Sequence, residues 1–125
     1  MQTNSNYYSF VQKTQFLSID VVLGALAMAY MATRLLDVDA NPIWWLILPM
    51  AVWVAYTLDH LIDGFRKKDE AVIDRHRFHF VNRKPLIVMI ILVGLIAIFL
   101  SLIYLDIMII IYGIILSIII GLYFI

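Results

Sequence analysis

The last third of the sequence carries almost no charge, and this feature constrains the fold more than any other. From Leu86 to Ile125 there are 40 residues and one formally charged side chain, Asp106. The whole chain is 64% hydrophobic and 14% charged, whereas soluble globular proteins contain about 45–50% apolar and about 25% charged residues. So little polar surface cannot cover these segments in water, which indicates an integral membrane protein. The lack of cysteine excludes disulfides and thiolate chemistry.

Four segments are apolar enough to form transmembrane helices, each of which needs about 20 mostly apolar residues. We predict an all-α, polytopic membrane protein whose single domain, residues 1–125, has helices at about 16–36, 43–62, 86–105 and 107–125. Segment length and the lack of polar–apolar alternation favour helices over the strands of a membrane barrel. The sequence ends inside the fourth apolar run, so we expect it to be the first half of a larger helical bundle.

The loop charges predict the orientation in the membrane. Residues 64–85 contain seven Lys and Arg against three Asp and Glu, whereas residues 37–42 contain two acids and no base. The positive-inside rule therefore places the 64–85 loop and the N-terminus in the cytoplasm, with a cell inner membrane as the expected location. The N-terminus lacks a signal-peptide pattern, so we expect the first helix to insert uncleaved. We expect membrane lipids as partners and no nucleic acid.

Two carboxylates near the end of the second helix form the strongest candidate site. Asp59 and Asp63 are four residues apart, so they share one helix face. Asp59 still lies inside the apolar run, where an ionisable side chain costs about 2.5–3.5 kcal/mol on insertion scales and marks a functional candidate. Carboxylate oxygens bind Mg²⁺, which usually shares them with substrate phosphates. We predict Mg²⁺ at this pair, with Asp20 at about the same depth as Asp63 in an accessory role.

Basic residues follow this pair and are candidates to bind a diphosphate. The arginines Arg66, Arg75 and Arg77 are candidates to hold its oxygens through charge-assisted hydrogen bonds. The alternatives are a charged helix end that leaves the membrane, and a solvated basic loop that contacts anionic lipid headgroups.

Histidines near the same helix end offer a different interpretation. His60 and His76 are possible accessory residues of the carboxylate site. Together with Asp63 and His79 they are also candidate ligands of a transition metal. The H-x-x-H spacing of His76 and His79 is a weak indication of such a site when it lies in a loop.

The order of these features resembles the first half of the UbiA-type intramembrane prenyltransferase superfamily. The shared features are a helix, a short outer loop, a helix that ends in aspartates, a basic cytoplasmic loop and two further helices. The string Ser18-Ile-Asp-Val-Val-Leu-Gly-Ala-Leu-Ala27 adds to the likeness. Proteins of this superfamily have eight or nine transmembrane helices. They transfer a prenyl group from a prenyl diphosphate to an aromatic or other acceptor, with Mg²⁺ held by two aspartate motifs.

The first of these motifs reads N-D-x-x-D-x-x-x-D. With Asp63 aligned to its middle aspartate, Asp59 replaces the asparagine, His60 the first aspartate and Lys67 the last. The resemblance implies that Asp59 and Asp63 are the catalytic, Mg²⁺-binding residues and that the arginines bind the diphosphate. A second motif is expected beyond Ile125.

We therefore predict a UbiA-like prenyltransferase, or a fragment of one, that acts on a prenyl diphosphate and a small acceptor. Ionisation to an allylic cation in a site that excludes water is the expected mechanism. The alternative is a non-enzymatic membrane protein: a lipid-binding scaffold, a complex subunit or an inactive relative. The replacement of two motif acids by His60 and Lys67 favours this alternative.

Overall fold

A computed structural model describes residues 10–67, 78–79 and 81–123. Every element of regular secondary structure in these residues is a helix, which confirms the all-helical class. The elements are α1 (Phe10–Phe16), α2 (Ile19–Leu35), α3 (Trp44–Lys67), α4 (Arg83–Tyr104) and α5 (Ile107–Tyr123).

Two of the described helices, α3 and α4, are each long and apolar enough to cross a membrane. At about 1.5 Å per residue they extend about 36 Å and 33 Å, against a hydrocarbon core of about 30 Å. The pair α1 and α2 makes a third span if the two helices, bent by 67°, are taken together. Helix α5 is more apolar than α3 and α4 but has 17 residues, fewer than the roughly 20 that a span needs. The number of spans among the described residues is thus two or three, and a fourth remains a prediction.

Helix α3 lies at the centre of the bundle and packs against both α2 and α4. In the described ranges the buried apolar side chains are few: Phe16, Ile47, Leu61, Leu86 and Ala97. No residue of α5 is buried, although this helix is almost wholly apolar. Exposed apolar surface costs about 25 cal/mol per Å² in water, whereas lipid chains solvate it. The distribution of apolar side chains therefore fits a membrane environment.

The predicted first helix, residues 16–36, is broken near its start. Helix α1 ends at Phe16 and α2 begins at Ile19, because Ser18 between them has a left-handed backbone with φ 59° and ψ 24°. The Ser18 N–H donates to the Gln15 carbonyl at 3.1 Å, and its own carbonyl accepts from the Val22 N–H at 3.1 Å. Ser18 therefore closes one helix and opens the next. The helix predicted at about 16–36 therefore corresponds to α2, which begins three residues later. Serine seldom adopts this conformation and gives no sequence signal for it.

Substitutions at Ser18 test this break. We expect Ser18→Val to lower the free energy of unfolding by about 2 kcal/mol, because a β-branched residue is strained in the left-handed region and needs extra space. Ser18 is fully buried, so that space is lacking. Ser18→Gly removes the strain and should leave stability unchanged or slightly higher. Unfolding by SDS in mixed micelles, followed by tryptophan fluorescence, measures both, and equal effects of the two substitutions would contradict the assignment.

The predicted 64–85 loop is helical at both ends, which corrects its boundaries. Helix α3 continues to Lys67 and α4 begins at Arg83. Pro85 is the third residue of α4, where its missing N–H has no helical acceptor to lose. The charged residues of this segment predict a loop, but a helix that leaves the hydrocarbon core can continue with a charged surface. Between these helices, Phe78 has a helical backbone, and its carbonyl accepts a hydrogen bond from the Asn82 side-chain amide at 2.9 Å.

The connection between α4 and α5 consists of Leu105 and Asp106, as short as the sequence predicts. The Asp106 carboxylate accepts a hydrogen bond from the Met108 N–H at 3.0 Å, and the Asp106 carbonyl accepts from the Ile110 N–H at 3.2 Å. Asp106 is therefore the N-cap of α5.

We expect Asp106→Ala to destabilise the first turn of α5 by about 1 kcal/mol, because the Met108 N–H loses its acceptor. Faster hydrogen exchange at the amides of Met108 and Ile109 would report the loss. Asp39→Ala, which removes a carboxylate from the α2–α3 loop, is the matched control. Unchanged exchange in α5 would show that the cap contributes nothing.

Candidate functional site

The residues near the end of α3 that include the candidate polar side chains fall on two neighbouring stripes of the helix. Positions 57, 60, 61 and 64 repeat at three- and four-residue intervals and form one stripe, whereas positions 59 and 63 form the next. Burial follows this division. Thr57 and Leu61 are buried, and the His60 side chain is 12% exposed, against 34% for Asp59. The bundle therefore covers Thr57 and His60 most completely, and the two carboxylates lie at the margin of the covered stripe.

His60 connects the end of α3 to the segment before α4. Its ring and the ring of His79 are 5.4 Å apart between centroids, at an interplanar angle of 62°. His79 is fully buried. On its other side, His60 Nδ1 lies 3.9 Å from Asp59 Oδ2, which is longer than a hydrogen bond and leaves only a charge interaction when the imidazole is protonated.

Aromatic rings pack beside the two imidazoles. The Phe16 ring, at the end of α1, lies 5.4 Å from the Phe78 ring, and the Phe78 ring lies 5.7 Å from the ring of His79. Phe16 is buried. The bend after Phe16 therefore places the end of α1 beside the segment that precedes α4. We call Phe16, His60, Phe78 and His79 the ring cluster.

Two further polar side chains are buried, one just before α2 and one in α3. Ser18 and Thr57 are both fully buried. The rings of Tyr30 and Trp45 lie 6.3 Å apart between centroids and join the other ends of these antiparallel helices. Ser18 lies twelve residues before Tyr30 and Thr57 twelve residues after Trp45, so both belong to the half of the bundle that carries Asp59 and Asp63.

An apolar groove of about 250 Å³ runs between α2, α3 and α4. Its lining is Ile19, Val22, Pro49, Met50, Trp53, Met89 and Val93. On α3, Trp53, Thr57 and His60 follow one another at helical spacing, so the groove and the covered polar stripe lie on the same side of this helix. The lining residues are all apolar, and Trp53, the last of them on α3, lies one turn before Thr57.

The structure brings together only part of the predicted site. Asp59, His60 and Asp63 share the end of α3, and Arg66 is an exposed residue one turn further on. Asp20 is exposed and lies between Ile19 and Val22, two residues that line the groove. Its predicted alignment with Asp63 stays a prediction. The remaining predicted residues, Arg75, His76 and Arg77, lie outside the described residues.

The described ranges contain no group of three His, Asp or Glu residues arranged to hold a metal ion. His60, Asp63 and His79 therefore do not form the predicted transition-metal site by themselves. A Mg²⁺ ion needs fewer protein ligands, since it is commonly held by one or two carboxylates together with water and substrate phosphates. Asp59 and Asp63 lie one turn apart and are both partly accessible, so their carboxylates suit this kind of site.

The residues that sequence reasoning missed are Ser18 and Thr57. The spacing of positions 57, 60, 61 and 64 was a usable signal for the covered stripe, whereas the burial of Ser18 depends on contacts between distant parts of the chain. No known protein family matches this chain, and no curated protein or solved structure shows significant similarity to it.

Proposed function

We propose that this chain belongs to a UbiA-like integral membrane prenyltransferase with four spans in this part, and that it binds a prenyl diphosphate at the end of α3. In this proposal the 64–85 segment and the N-terminus lie on the cytoplasmic side of the inner membrane. The prenyl chain lies in the apolar groove and the diphosphate lies against Asp59 and Asp63.

The observation that carries the proposal is that the groove and the covered polar stripe lie on one side of α3, with the groove residue Trp53 one turn before Thr57. A volume of about 250 Å³ is below the roughly 300–1,000 Å³ of pockets that take compact drug-sized ligands, and it suits a single narrow chain. Trp53 and Asp63 are ten residues apart on α3, which is about 15 Å. A ligand with an apolar chain and a charged head can therefore reach both features at once.

The chemistry follows from the residues at that end. Asp59 and Asp63 would bind Mg²⁺, which when bound supplies positive charge to the diphosphate. Arg66, with Arg75 and Arg77, would stabilise the negative charge of the leaving diphosphate. The bond between the prenyl carbon and the diphosphate oxygen breaks, and its electron pair goes to the diphosphate. The acceptor then bonds to the allylic cation and releases a proton, while the ring cluster limits access of water.

Binding of radiolabelled geranylgeranyl diphosphate to the protein in nanodiscs tests the proposal. We expect removal of Mg²⁺ by EDTA to weaken binding at least about tenfold, because the diphosphate loses its shared cation. Geranylgeraniol, which has the same chain and no diphosphate, is the control and should bind equally well with and without EDTA. Diphosphate binding that is indifferent to Mg²⁺ would contradict the proposed carboxylate site.

The second candidate is a non-enzymatic lipid-binding scaffold or complex subunit. It is favoured by α5, which is apolar along its length and has no buried residue. Such a helix provides a long surface for lipid or for another membrane protein. Diphosphate binding without product formation in the presence of acceptors would favour this candidate.

A further inference from the structure

We infer that the side of α2 that faces away from α3 is a docking surface for a transmembrane helix of a partner membrane protein, and that this helix supplies a Lys or Arg side chain to Asp20. The inference is separate from prenyl transfer. It uses neither the apolar groove nor the carboxylates of α3, and it shares only the membrane orientation with the proposed function.

Five residues of α2 form one stripe along the helix. They recur at alternating four- and three-residue intervals, which is the spacing of a seam between two packed helices. All five are exposed, whereas Val22, Ala25 and Ala29 on the opposite side are half-buried, in agreement with the packing of α2 against α3. The residues of this exposed stripe are Asp20, Gly24, Ala27, Met31 and Arg34.

The two ends of the exposed stripe are charged. Arg34 lies fourteen residues after Asp20, which is about 21 Å along the helix axis. A hydrocarbon core is about 30 Å thick, so with α2 across the membrane at least one of the two charges lies inside the core. The long side chain of Arg34 can reach the headgroups, whereas the side chain of Asp20 is short. Asp20 therefore has the greater need of a partner, since ionisable groups within membranes are nearly always paired.

The described residues do not supply this partner. Within the described ranges, Asp20 forms no ion pair with a basic side chain. The basic residues of α1 and α2 are Lys13 and Arg34, and neither pairs with it. The exposed stripe also faces away from α3, so it lies on the far side of α2 from the end of α3 that leads into the basic 64–85 segment. A cation for Asp20 is therefore expected from a helix outside this bundle.

The middle of the exposed stripe allows such a helix to approach closely. A Cβ atom placed on Gly24 would meet no other group within 4 Å, and Ala27, one turn on, carries only a methyl group. Small residues let the backbones of two membrane helices come together. In the proposed orientation Asp20 lies at the cytoplasmic end of α2, where spanning helices most often carry Lys and Arg. The stripe therefore fits a helix with a basic residue near its cytoplasmic end.

A second copy of this chain fits the same stripe poorly. Two copies related by a twofold axis along the membrane normal would use the same patch of each chain. Asp20 of one copy would then lie level with Asp20 of the other, and like charges repel. The charge of the stripe therefore favours a different protein as the partner.

Energy transfer to designed transmembrane peptides tests the docking surface. The full chain carries a donor dye at Val38→Cys, beyond the end of α2 that is remote from Asp20, and has no other cysteine. It is mixed in phosphatidylcholine vesicles with a helix of about 20 Leu and Ala residues that has one Lys level with Asp20 and an acceptor dye at its other end. We expect this peptide to associate about tenfold more strongly than the same peptide with norleucine in place of Lys.

Variants of the exposed stripe show where the peptide binds. Asp20→Asn should abolish the preference for Lys over norleucine, and Asp20→Lys should transfer the preference to a peptide that has Asp in place of Lys. Gly24→Leu fills the open space beside the helix and should weaken association of the Lys peptide. Asp39→Asn removes an acid outside α2 and is the matched control, which should leave the preference unchanged.

Equal association of the Lys and norleucine peptides with the unchanged protein would overturn the inference, and so would a preference that survives in Asp20→Asn or in Gly24→Leu. Energy transfer between donor-labelled and acceptor-labelled copies of the chain that Gly24→Leu abolishes would contradict it too, because the stripe would then bind a second copy. The vesicles contain neither diphosphate nor Mg²⁺. Failure here therefore leaves the prenyl diphosphate proposal standing, and failure of the Mg²⁺ test leaves the docking surface standing.

Discussion

In the proposed prenyltransferase, Asp63→Asn should lower prenyl transfer about a hundredfold, because it removes a charge on which metal-assisted ionisation of the diphosphate would depend. Asparagine keeps the size of the side chain and the helical backbone at the end of α3. Asp63 is the one residue that matches an acid of the superfamily motif. Transfer of a radiolabelled prenyl group to an aromatic acceptor in nanodiscs, at saturating Mg²⁺, measures the effect.

The matched control is Asp39→Asn, which removes an acid from the α2–α3 loop and should leave turnover within about twofold of the unchanged protein. Asp59→Asn should show a loss of similar kind to Asp63→Asn, since the proposal has the two carboxylates hold one Mg²⁺ ion. Unchanged turnover in Asp63→Asn would end the prenyltransferase assignment. A protein without turnover that still binds the diphosphate in a Mg²⁺-dependent way would be a binding protein.

His79→Ala should lower the free energy of unfolding by about 3 kcal/mol. His79 is the largest fully buried side chain in the described residues, and its ring packs against His60 and Phe78. Truncation to alanine leaves a cavity among these rings and removes the contact between the end of α3 and the segment that precedes α4. Reversible unfolding by SDS in mixed micelles, followed by tryptophan fluorescence, provides the measurement.

Val81→Ala is the control for this substitution, because Val81 is close in sequence and 54% exposed. We expect it to change the free energy of unfolding by less than about 0.5 kcal/mol. His79→Phe, which keeps a planar ring, should lose less stability than His79→Ala. Equal stability of the alanine variant and the unchanged protein would show that the ring cluster does not hold the two helices together.

The helical class and the last helix boundary could be predicted because each depends on local composition. Asp106 is the only charged residue in the last 40, and the structure places the α4–α5 connection there and uses its carboxylate as a cap. The end of α3 was placed too early for the opposite reason. Charged residues after Asp63 suggested a loop, but helix formation continues to Lys67 because leaving the hydrocarbon core does not require leaving the helix.

The candidate site was only half predictable. Asp59, His60 and Asp63 stand out because ionisable residues in an apolar run are rare. Ser18 and Thr57 do not stand out, since serine and threonine are common in membrane helices and are usually satisfied by their own turn. Their state depends on the left-handed backbone at Ser18 and on the alignment of α2 with α3. Both are tertiary properties that no local pattern specifies.

The central claim is that the acid-bearing end of α3 lies at the cytoplasmic boundary of the membrane. Because the chain has no cysteine, single cysteines can be placed at Val38, in the α2–α3 loop, and at Lys84, at the start of α4. A membrane-impermeant maleimide applied to intact cells should label Val38→Cys and should label Lys84→Cys only after the cells are permeabilised. The reverse pattern, or labelling of both positions from outside, would contradict the account.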